Sequence, residues 1–261
     1  MTAETLAHLH HPAFLAILGA VVGSFLNVVI HRLPRKISLV SPPSRCPHCE
    51  RRVAPWENVP VVSWIFLRGK CRGCKKAISP RYPLVESLTA LLFAACGAVV
   101  APVALPLALS FVAAMVVVTF IDLDHMIIPD AITLPGVLIG LLAAVFGFGV
   151  SPLDAALGVI VGGGGLFAVA SGYKAATGRE GLGGGDVKLL AMVGAFLGPA
   201  GAFFTIMIGS LTGTIFACVY MLRTGHGRTA ELPFGTFLAP GAVLVLFLGV
   251  RLTQIYWGLF S

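Results

Sequence analysis

Apolar residues follow one another in long, nearly uninterrupted runs, and most polar residues are gathered into a few segments between these runs. A helix needs about 20 apolar residues to cross a bilayer, because each residue adds only about 1.5 Å. Runs that meet or approach this length predict an all-α polytopic membrane protein with about eight transmembrane helices. They cover residues 12–31, 84–101, 103–121, 131–149, 152–172, 187–199, 200–222 and 234–257, of which the sixth is short enough for a half-span or a buried helix.

The longest polar segment divides the chain into three parts. We expect residues 1–32 to form the first transmembrane helix, residues 33–83 a small polar domain, and residues 84–261 a domain of seven further helices. Twelve of the 18 basic residues lie between Arg32 and Arg81. Because cytoplasmic loops are enriched in Lys and Arg, this placement predicts a cytoplasmic polar domain and an N-terminus on the outer side of a bacterial inner membrane. The same orientation puts the segments 122–130, 173–186 and 223–233 on the cytoplasmic side.

The composition agrees with a membrane protein and excludes an ordinary soluble domain. Hydrophobic residues make up 57% of the chain, the mean hydropathy is +0.94, and only 11% of residues are charged. A soluble domain carries about 25% charged residues. The net charge of +7 is explained by membrane topology and by attraction to anionic lipids. No pattern of basic and aromatic residues suits base recognition, so nucleic acid is not an expected partner.

Four cysteines in the polar domain have the spacing of a zinc site. They form two C-x-x-C pairs separated by 21 residues. Two such pairs supply four thiolates to one tetrahedral Zn²⁺, and a closed site of this kind is structural because it leaves no position for water. Disulfides or free thiols remain alternatives, although the reducing cytoplasm disfavours disulfides. The predicted ligands of this zinc-ribbon-like domain are Cys46, Cys49, Cys71 and Cys74.

Two of the five aspartates lie where apolar runs meet the predicted cytoplasmic face. Asp122 ends the third run, and Asp186 precedes the sixth after three glycines at 183–185. Ionisable groups at the interior ends of membrane helices are costly and are therefore candidates for function. If the two carboxyl groups meet, they can share one proton and activate water. Each acid also has a structural interpretation: Asp130 and Asp186 as helix N-caps, the latter with Lys188 as a counter-ion, and Asp124 as a solvated loop residue.

The order and spacing of several motifs resemble those of the bacterial prepilin peptidases, also called type IV leader peptidases. These enzymes are bifunctional membrane proteins, and the similarity runs nearly end to end. The motifs are GSFLNVVIHRLP at residues 23–34, the two C-x-x-C pairs, RGKC at 68–71, SPRYPLVE at 79–86, the segment 122–130, and Gly-x-Gly-Asp at 183–186.

The resemblance implies an activity and a set of residues. Members of this family cleave the short basic leader from prepilins and pseudopilins after a glycine at the cytoplasmic membrane face. They then methylate the new N-terminal residue with S-adenosylmethionine. The four-cysteine domain is associated with the methylating members. The catalytic acids match Asp122 and Asp186, with Asp124 and Asp130 in support, while Gly69 and Lys70 match positions linked to methyl transfer.

Two other functions stay open from the residues alone. A transporter or channel would use the aspartates as a proton or cation relay, but it predicts acids near the bilayer centre and at more than one depth. A zinc-ribbon scaffold would explain the cysteines and leave Asp122 and Asp186 without a role. Glu86 is interpreted as structural, or as compensating the dipole at the start of the second helix. The sequence does not indicate the oligomeric state or which pilin is processed.

Overall fold

The computed structural model describes residues 10–224 and 233–258. Within these residues the chain is built of helices and their connections, with no β-strand beyond two isolated bridges. The backbone falls into two compact units, residues 1–117 and 118–261. The predicted all-α fold class is therefore confirmed.

The first unit holds two long apolar helices and the polar domain between them. Helix α1 is Pro12–Arg32 and helix α3 is Arg81–Val99. The polar domain contains a 3₁₀ turn at Pro55–Asn58 and the short helix α2, Val62–Phe66. Helix α4, Leu105–His125, begins in this unit and continues into the second.

Helices α1 and α3 pack closely because α1 carries glycines where they touch. An added Cβ on Gly19 would come within 2.7 Å of the backbone oxygen of Thr89, and one on Gly23 within 2.8 Å of Cα of Glu86. Small residues let helices in membranes approach in this way. The contact places the second turn of α3 directly against the middle of α1.

The second unit contains the end of α4 and the remaining helices. Helix α5 is Asp130–Val145. Helix α6, Pro152–Val159, passes through a π-helical turn into α7. Helix α7 is Gly165–Thr177, α8 is Gly184–Thr224, and α9 is Gly235–Gly258.

The long helix α8 is interrupted at Gly198, which has φ 72° and ψ −176° and is followed by Pro199. An ideal Cβ on Gly162 would lie 2.6 Å from the backbone oxygen of Leu190 and 3.1 Å from Cβ of Ala202. These two residues would be about 18 Å apart along a continuous helix. The chain therefore reverses at Gly198, at the boundary predicted between the sixth and seventh apolar runs.

Five helical segments in the described part of the chain are long and apolar enough to cross a membrane. They are α1, α3, α4, the combined segment Pro152–Thr177, and Gly184–Arg223. Helix α5 and the segment Gly235–Gly249 are shorter and also apolar. Because α8 reverses within its length, these segments are compatible with the expected number of about eight spans, which stays a prediction.

Candidate functional site

Asp122 lies in the last turn of α4, and its side chain is buried, with 4% of the residue exposed. Its Oδ2 accepts hydrogen bonds from the backbone amide of Thr236 at 2.7 Å and from the Thr236 hydroxyl at 3.1 Å. Thr236 is the second residue of α9. The first amides of a helix have no partner within the helix and carry partial positive charge, so they suit a carboxylate. The start of α9 therefore fixes one oxygen of Asp122.

Asp186 is the third residue of α8 and is also buried, with 7% of the residue exposed. Its Oδ1 has no hydrogen-bond partner among the described residues. An added Cβ on Gly183 would lie 3.1 Å from the other carboxyl oxygen, Oδ2. A side chain at Gly183 would therefore crowd this carboxyl group. A buried oxygen without a donor is unusual in a folded protein and indicates a group that meets a proton, water or substrate.

The structure brings Asp122 and Asp186 close enough for their carboxyl groups to interact electrostatically. The side chain of Ile128 is buried and lies against Gly235 and Gly185, the glycines next to Asp122 and Asp186. An ideal Cβ on Gly235 would lie 2.6 Å from Cδ1 of Ile128 and 3.0 Å from Oδ2 of Asp122. The Cβ of Ile128 lies 2.9 Å from an ideal Cβ on Gly185, the neighbour of Asp186. The glycines on both sides therefore leave just enough room for the turn after α4 and for the Asp122 carboxyl group.

Three structural interpretations made from the sequence are wrong. Lys188 pairs with Asp130, at 2.8 Å and 2.7 Å from its two carboxyl oxygens, so it is not the counter-ion of Asp186. Asp130 is the first residue of α5 after the cap Pro129, and Asp186 lies inside the first turn of α8, so neither is an N-cap. Asp124 is an exposed residue of α4 and does not lie in a loop. Helix boundaries that lie one to four residues from the expected ones account for the three acids, and the placement of α5 relative to α8 accounts for the pairing of Lys188 with Asp130.

The four predicted metal ligands do meet. Their Sγ atoms all lie within 4.8 Å of one another, and none of the four forms a disulfide. Two cross-pair distances, Cys46–Cys74 and Cys49–Cys71, are 3.9 Å and 4.0 Å. A tetrahedral site with Zn–S bonds of about 2.3 Å has sulfur atoms about 3.8 Å apart. The donor set therefore fits a four-sulfur metal site.

The two cysteine pairs sit in matching turns. The amide of Cys46 donates to the backbone oxygen of Arg51 at 3.0 Å, and the amide of Cys71 donates to that of Lys76 at 2.8 Å. One isolated bridge flanks each turn, Arg45 with Arg52 and Lys70 with Ala77. Hydrogen bonds from the amides of His48 and Cys49 lower the pKa of the Cys46 thiol to about 6. This favours the thiolate form of Cys46, in which a cysteine binds a metal ion.

Glu57 connects the two turns. Arg51, from the first turn, donates to both carboxyl oxygens of Glu57 at 2.8 Å and 3.0 Å, and Arg72, from the second, lies 3.6 Å away. The Glu57 side chain is only 8% exposed. The hydrogen bond from Arg51 is the main reason that the pKa of Glu57 is lowered. One carboxylate therefore braces both halves of the metal site.

Gly69 and Lys70 lie at the edge of this domain, immediately before Cys71. Gly69 has φ 65°, and an added Cβ would come within 2.8 Å of Cζ2 of Trp64. Lys70 is exposed, and its backbone forms the bridge to Ala77. The structure therefore explains why glycine is needed at 69 and leaves the Lys70 side chain accessible.

Sequence reasoning missed Thr236 and Ile128, and of its two interpretations of Glu86 only the structural one agrees with the structure. Thr236 gave a weak signal, since it follows Gly235 at the start of an apolar run predicted to begin on the same membrane face as Asp122. Ile128 gave none beyond being an apolar residue in a polar segment. Glu86 is the sixth residue of α3, past the first turn, and its buried carboxylate accepts a hydrogen bond from Val61. Compensation of the helix dipole at the first turn is therefore the wrong interpretation of Glu86.

Two family models match the chain. One, described as the bacterial peptidase A24 N-terminal domain, matches residues 17–100, and the other, described as the type IV leader peptidase family, matches residues 109–218. Three curated relatives are each named prepilin leader peptidase/N-methyltransferase. That of Aeromonas hydrophila is 39% identical over 92% of this chain and 91% of its own length. That of Pseudomonas aeruginosa is 39% identical over 92% and 91%, and that of Dichelobacter nodosus 37% over 93% of each. No solved structure matches.

Proposed function

The chain belongs to the type IV leader peptidase family, and we propose that Asp122 and Asp186 are the aspartic centre with which it removes the leader peptides of prepilins. This membership favours a peptidase over the transporter and the zinc scaffold. The observation that carries the proposal is the buried Oδ1 of Asp186, which has no donor among the described residues and belongs to a carboxyl group that interacts with Asp122. Such a pair needs a shared proton and leaves one oxygen for water or substrate.

The hydrogen bonds suggest how the two acids divide their roles. Asp122 accepts two hydrogen bonds from Thr236, which suits the ionised form, while Asp186 suits the protonated form. Asp122 takes a proton from water as the hydroxide adds to the scissile carbonyl carbon, and Asp186 gives its proton to the carbonyl oxygen. When the tetrahedral intermediate collapses, one of the intermediate's two hydroxyl groups returns a proton to Asp186. Asp122 passes its proton to the leaving amine, and the C–N bond breaks.

The segment before Asp186 is suited to an extended peptide. Gly183 leaves room beside the carboxyl group, and an added Cβ on Gly184 would meet nothing within 4 Å. A peptide backbone can therefore approach Asp186 without meeting side chains from these two positions. The leader of a prepilin is followed by an apolar helix, so its cleavage site lies near the membrane surface, at the depth expected for both acids.

The test is cleavage of a synthetic prepilin by the purified protein in detergent. Asp122→Asn and Asp186→Asn should each lower kcat by about 10⁴-fold or more, because each removes a group that moves a proton. Asp154→Asn is the matched control, since the Asp154 carboxyl group accepts a hydrogen bond from the Ser151 hydroxyl group at the start of α6, in the same unit. Wild-type cleavage by both centre variants would refute the proposal.

A second part of the proposal concerns the four-cysteine domain. Cys46, Cys49, Cys71 and Cys74 are suited to a structural zinc ion, and the methyl donor is S-adenosylmethionine, with Gly69 and Lys70 near the transfer site. Zinc would pin the turn that follows Lys70 and would leave no coordination position for chemistry.

Metal analysis and labelled S-adenosylmethionine test this part. The wild-type protein should contain about one zinc ion per chain, and Cys71→Ser should lose zinc and methyl transfer together. Lys70→Ala should lower methyl transfer, whereas Lys76→Ala, at another exposed lysine of the same domain, should not. A metal-free wild-type protein would contradict the zinc assignment, and normal methylation by Lys70→Ala would remove Lys70 from the site.

The family and the apolar helices make the chain an inner-membrane protein. We further propose that the four-cysteine domain and both acids face the cytoplasm, with the N-terminus outside. The basic residues between Arg32 and Arg81 support this orientation, because positive charge is retained on the cytoplasmic side. In the variant Val40→Cys, at a 91% exposed position of the same domain that is not a proposed metal ligand, an impermeant thiol reagent should label the new thiol only after the spheroplast membrane is opened. Labelling of this position in intact spheroplasts would reverse the orientation.

A further inference from the structure

A buried carboxylate in the first unit has no part in the aspartic centre or in the metal site. Glu86 on α3 is 7% exposed, and its Oε2 accepts a hydrogen bond from the backbone amide of Val61 at 2.7 Å. The hydroxyl group of Ser24, on α1, also donates to this carboxylate. Gly23 brings α1 against the backbone of Glu86. The carboxylate therefore joins both long helices of this unit to the polar domain.

The residue that Glu86 holds has an unusual backbone. Val61 has φ 60° and ψ −51°, and the amide of Val62 donates to the backbone oxygen of Pro60. These features define a γ-turn with positive φ, which is rare and strained. A β-branched residue at positive φ is a true outlier, because its side chain crowds the backbone. Such a conformation persists only when its surroundings hold it in place.

The γ-turn sets the start of α2. Val61 is the residue before this helix, which carries Trp64 in its middle. The indole N–H of Trp64 donates to the backbone oxygen of Ile78 at 3.2 Å. The backbone oxygen of Trp64 accepts from the amide of Gly69 at 2.9 Å, and the indole ring lies against Gly69. A change in the direction of α2 therefore moves the surface on which Gly69 and Lys70 rest.

We propose that Glu86 is a positioning residue for methyl transfer: it holds the amide of Val61 and so fixes α2 and the Gly69–Lys70 turn against α1 and α3. This inference rests on the proposed location of methyl transfer at the Gly69–Lys70 turn. The relevant property of Glu86 is its oxygen as a hydrogen-bond acceptor. A glutamine keeps such an oxygen, whereas an alanine removes it and leaves the Val61 amide without its partner.

The experiment follows leader cleavage and methyl transfer separately in the full-length protein. Glu86→Ala should lower kcat for methyl transfer by about tenfold or more, as expected when a buried amide loses its acceptor, while cleavage stays within about threefold. Glu86→Gln should keep methyl transfer within about threefold of the wild type. Glycine adopts positive φ without steric strain, so the double variant Glu86→Ala with Val61→Gly should recover a large part of the loss.

Three outcomes would overturn the inference. The first is normal methyl transfer by Glu86→Ala. The second is a loss in Glu86→Gln as large as in Glu86→Ala, which would make the charge the important property. The third is a parallel loss of both activities that Val61→Gly does not reverse, which would indicate general destabilisation. If instead Lys70→Ala methylates normally while Glu86→Ala does not, the assignment of Lys70 fails and the positioning role of Glu86 stands.

Discussion

Thr236 offers the sharpest test of how the aspartic centre is held. Its amide and its hydroxyl group both donate to Oδ2 of Asp122, at 2.7 Å and 3.1 Å. Thr236→Val keeps the backbone donor and nearly the same side-chain shape but removes the hydroxyl donor. A hydrogen bond to a charged group contributes about 1.5–3 kcal/mol. Because the shorter backbone bond remains, we expect the lower end of this range, about 1.5 kcal/mol, which corresponds to about a tenfold lower kcat/KM.

The assay is steady-state cleavage of a synthetic prepilin, with two comparison variants. Thr236→Ser retains the hydroxyl group and should cleave within about threefold of the wild type. Thr253→Val removes a hydroxyl group that donates to the backbone oxygen of Gly249 at 2.8 Å in α9, about 25 Å along the helix from Thr236, and should leave the rate unchanged. If Thr236→Val cleaves as fast as the wild type, the hydroxyl group does not orient Asp122. If Thr236→Ser is as slow as Thr236→Val, the effect comes from the methyl group.

Three further variants test other contacts. Gly235→Ala puts a Cβ 3.0 Å from the Asp122 carboxylate and should slow cleavage. Gly249→Ala is its control, because the added Cβ there makes only ordinary van der Waals contacts and should not change the rate. Equal cleavage rates for the two variants would count against crowding at Gly235. Glu57→Gln should lower zinc affinity by about tenfold in a chelator competition, as for residues that orient metal ligands, and unchanged affinity would show that the brace is dispensable. Lys188→Ala breaks a largely exposed ion pair worth less than about 1 kcal/mol, so Tm should fall by no more than about 4 °C, and a much larger fall would mean that the pair is structural.

The sequence predicted those features that follow from local patterns along the chain. Apolar runs define the helices because the bilayer demands length and hydropathy, and Gly198 followed by Pro199 marks the reversal in α8 because neither residue continues a helix well. The cysteine pairs predicted a cluster because their spacing lets two turns close on one ion. In each case the physical cause lies within a few residues.

Features that depend on how separate helices pack against one another could not be predicted from local sequence patterns. Lys188 lies two residues after Asp186 in sequence, yet it pairs with Asp130 at the start of α5, because the relative placement of α5 and α8 decides which acid it reaches. In the sequence, Glu86 is an ordinary residue near the start of a helix, and only the structure shows that its carboxylate accepts a hydrogen bond from the amide of Val61. The pairing of Thr236 with Asp122 joins residues 114 positions apart, so no local pattern reveals it.

The last of these contacts has a consequence for how small a working protease of this kind can be. The stretch recognisable as the type IV leader peptidase family ends at residue 218, before α9 begins. A shortened chain cut at that limit would keep Asp122 and Asp186 and lose both donors that Thr236 supplies. If Asp122 and Asp186 are the catalytic pair, as proposed, the minimal unit for hydrolysis extends at least through the first turn of α9, and truncation from the C-terminus should abolish cleavage well before it removes either acid.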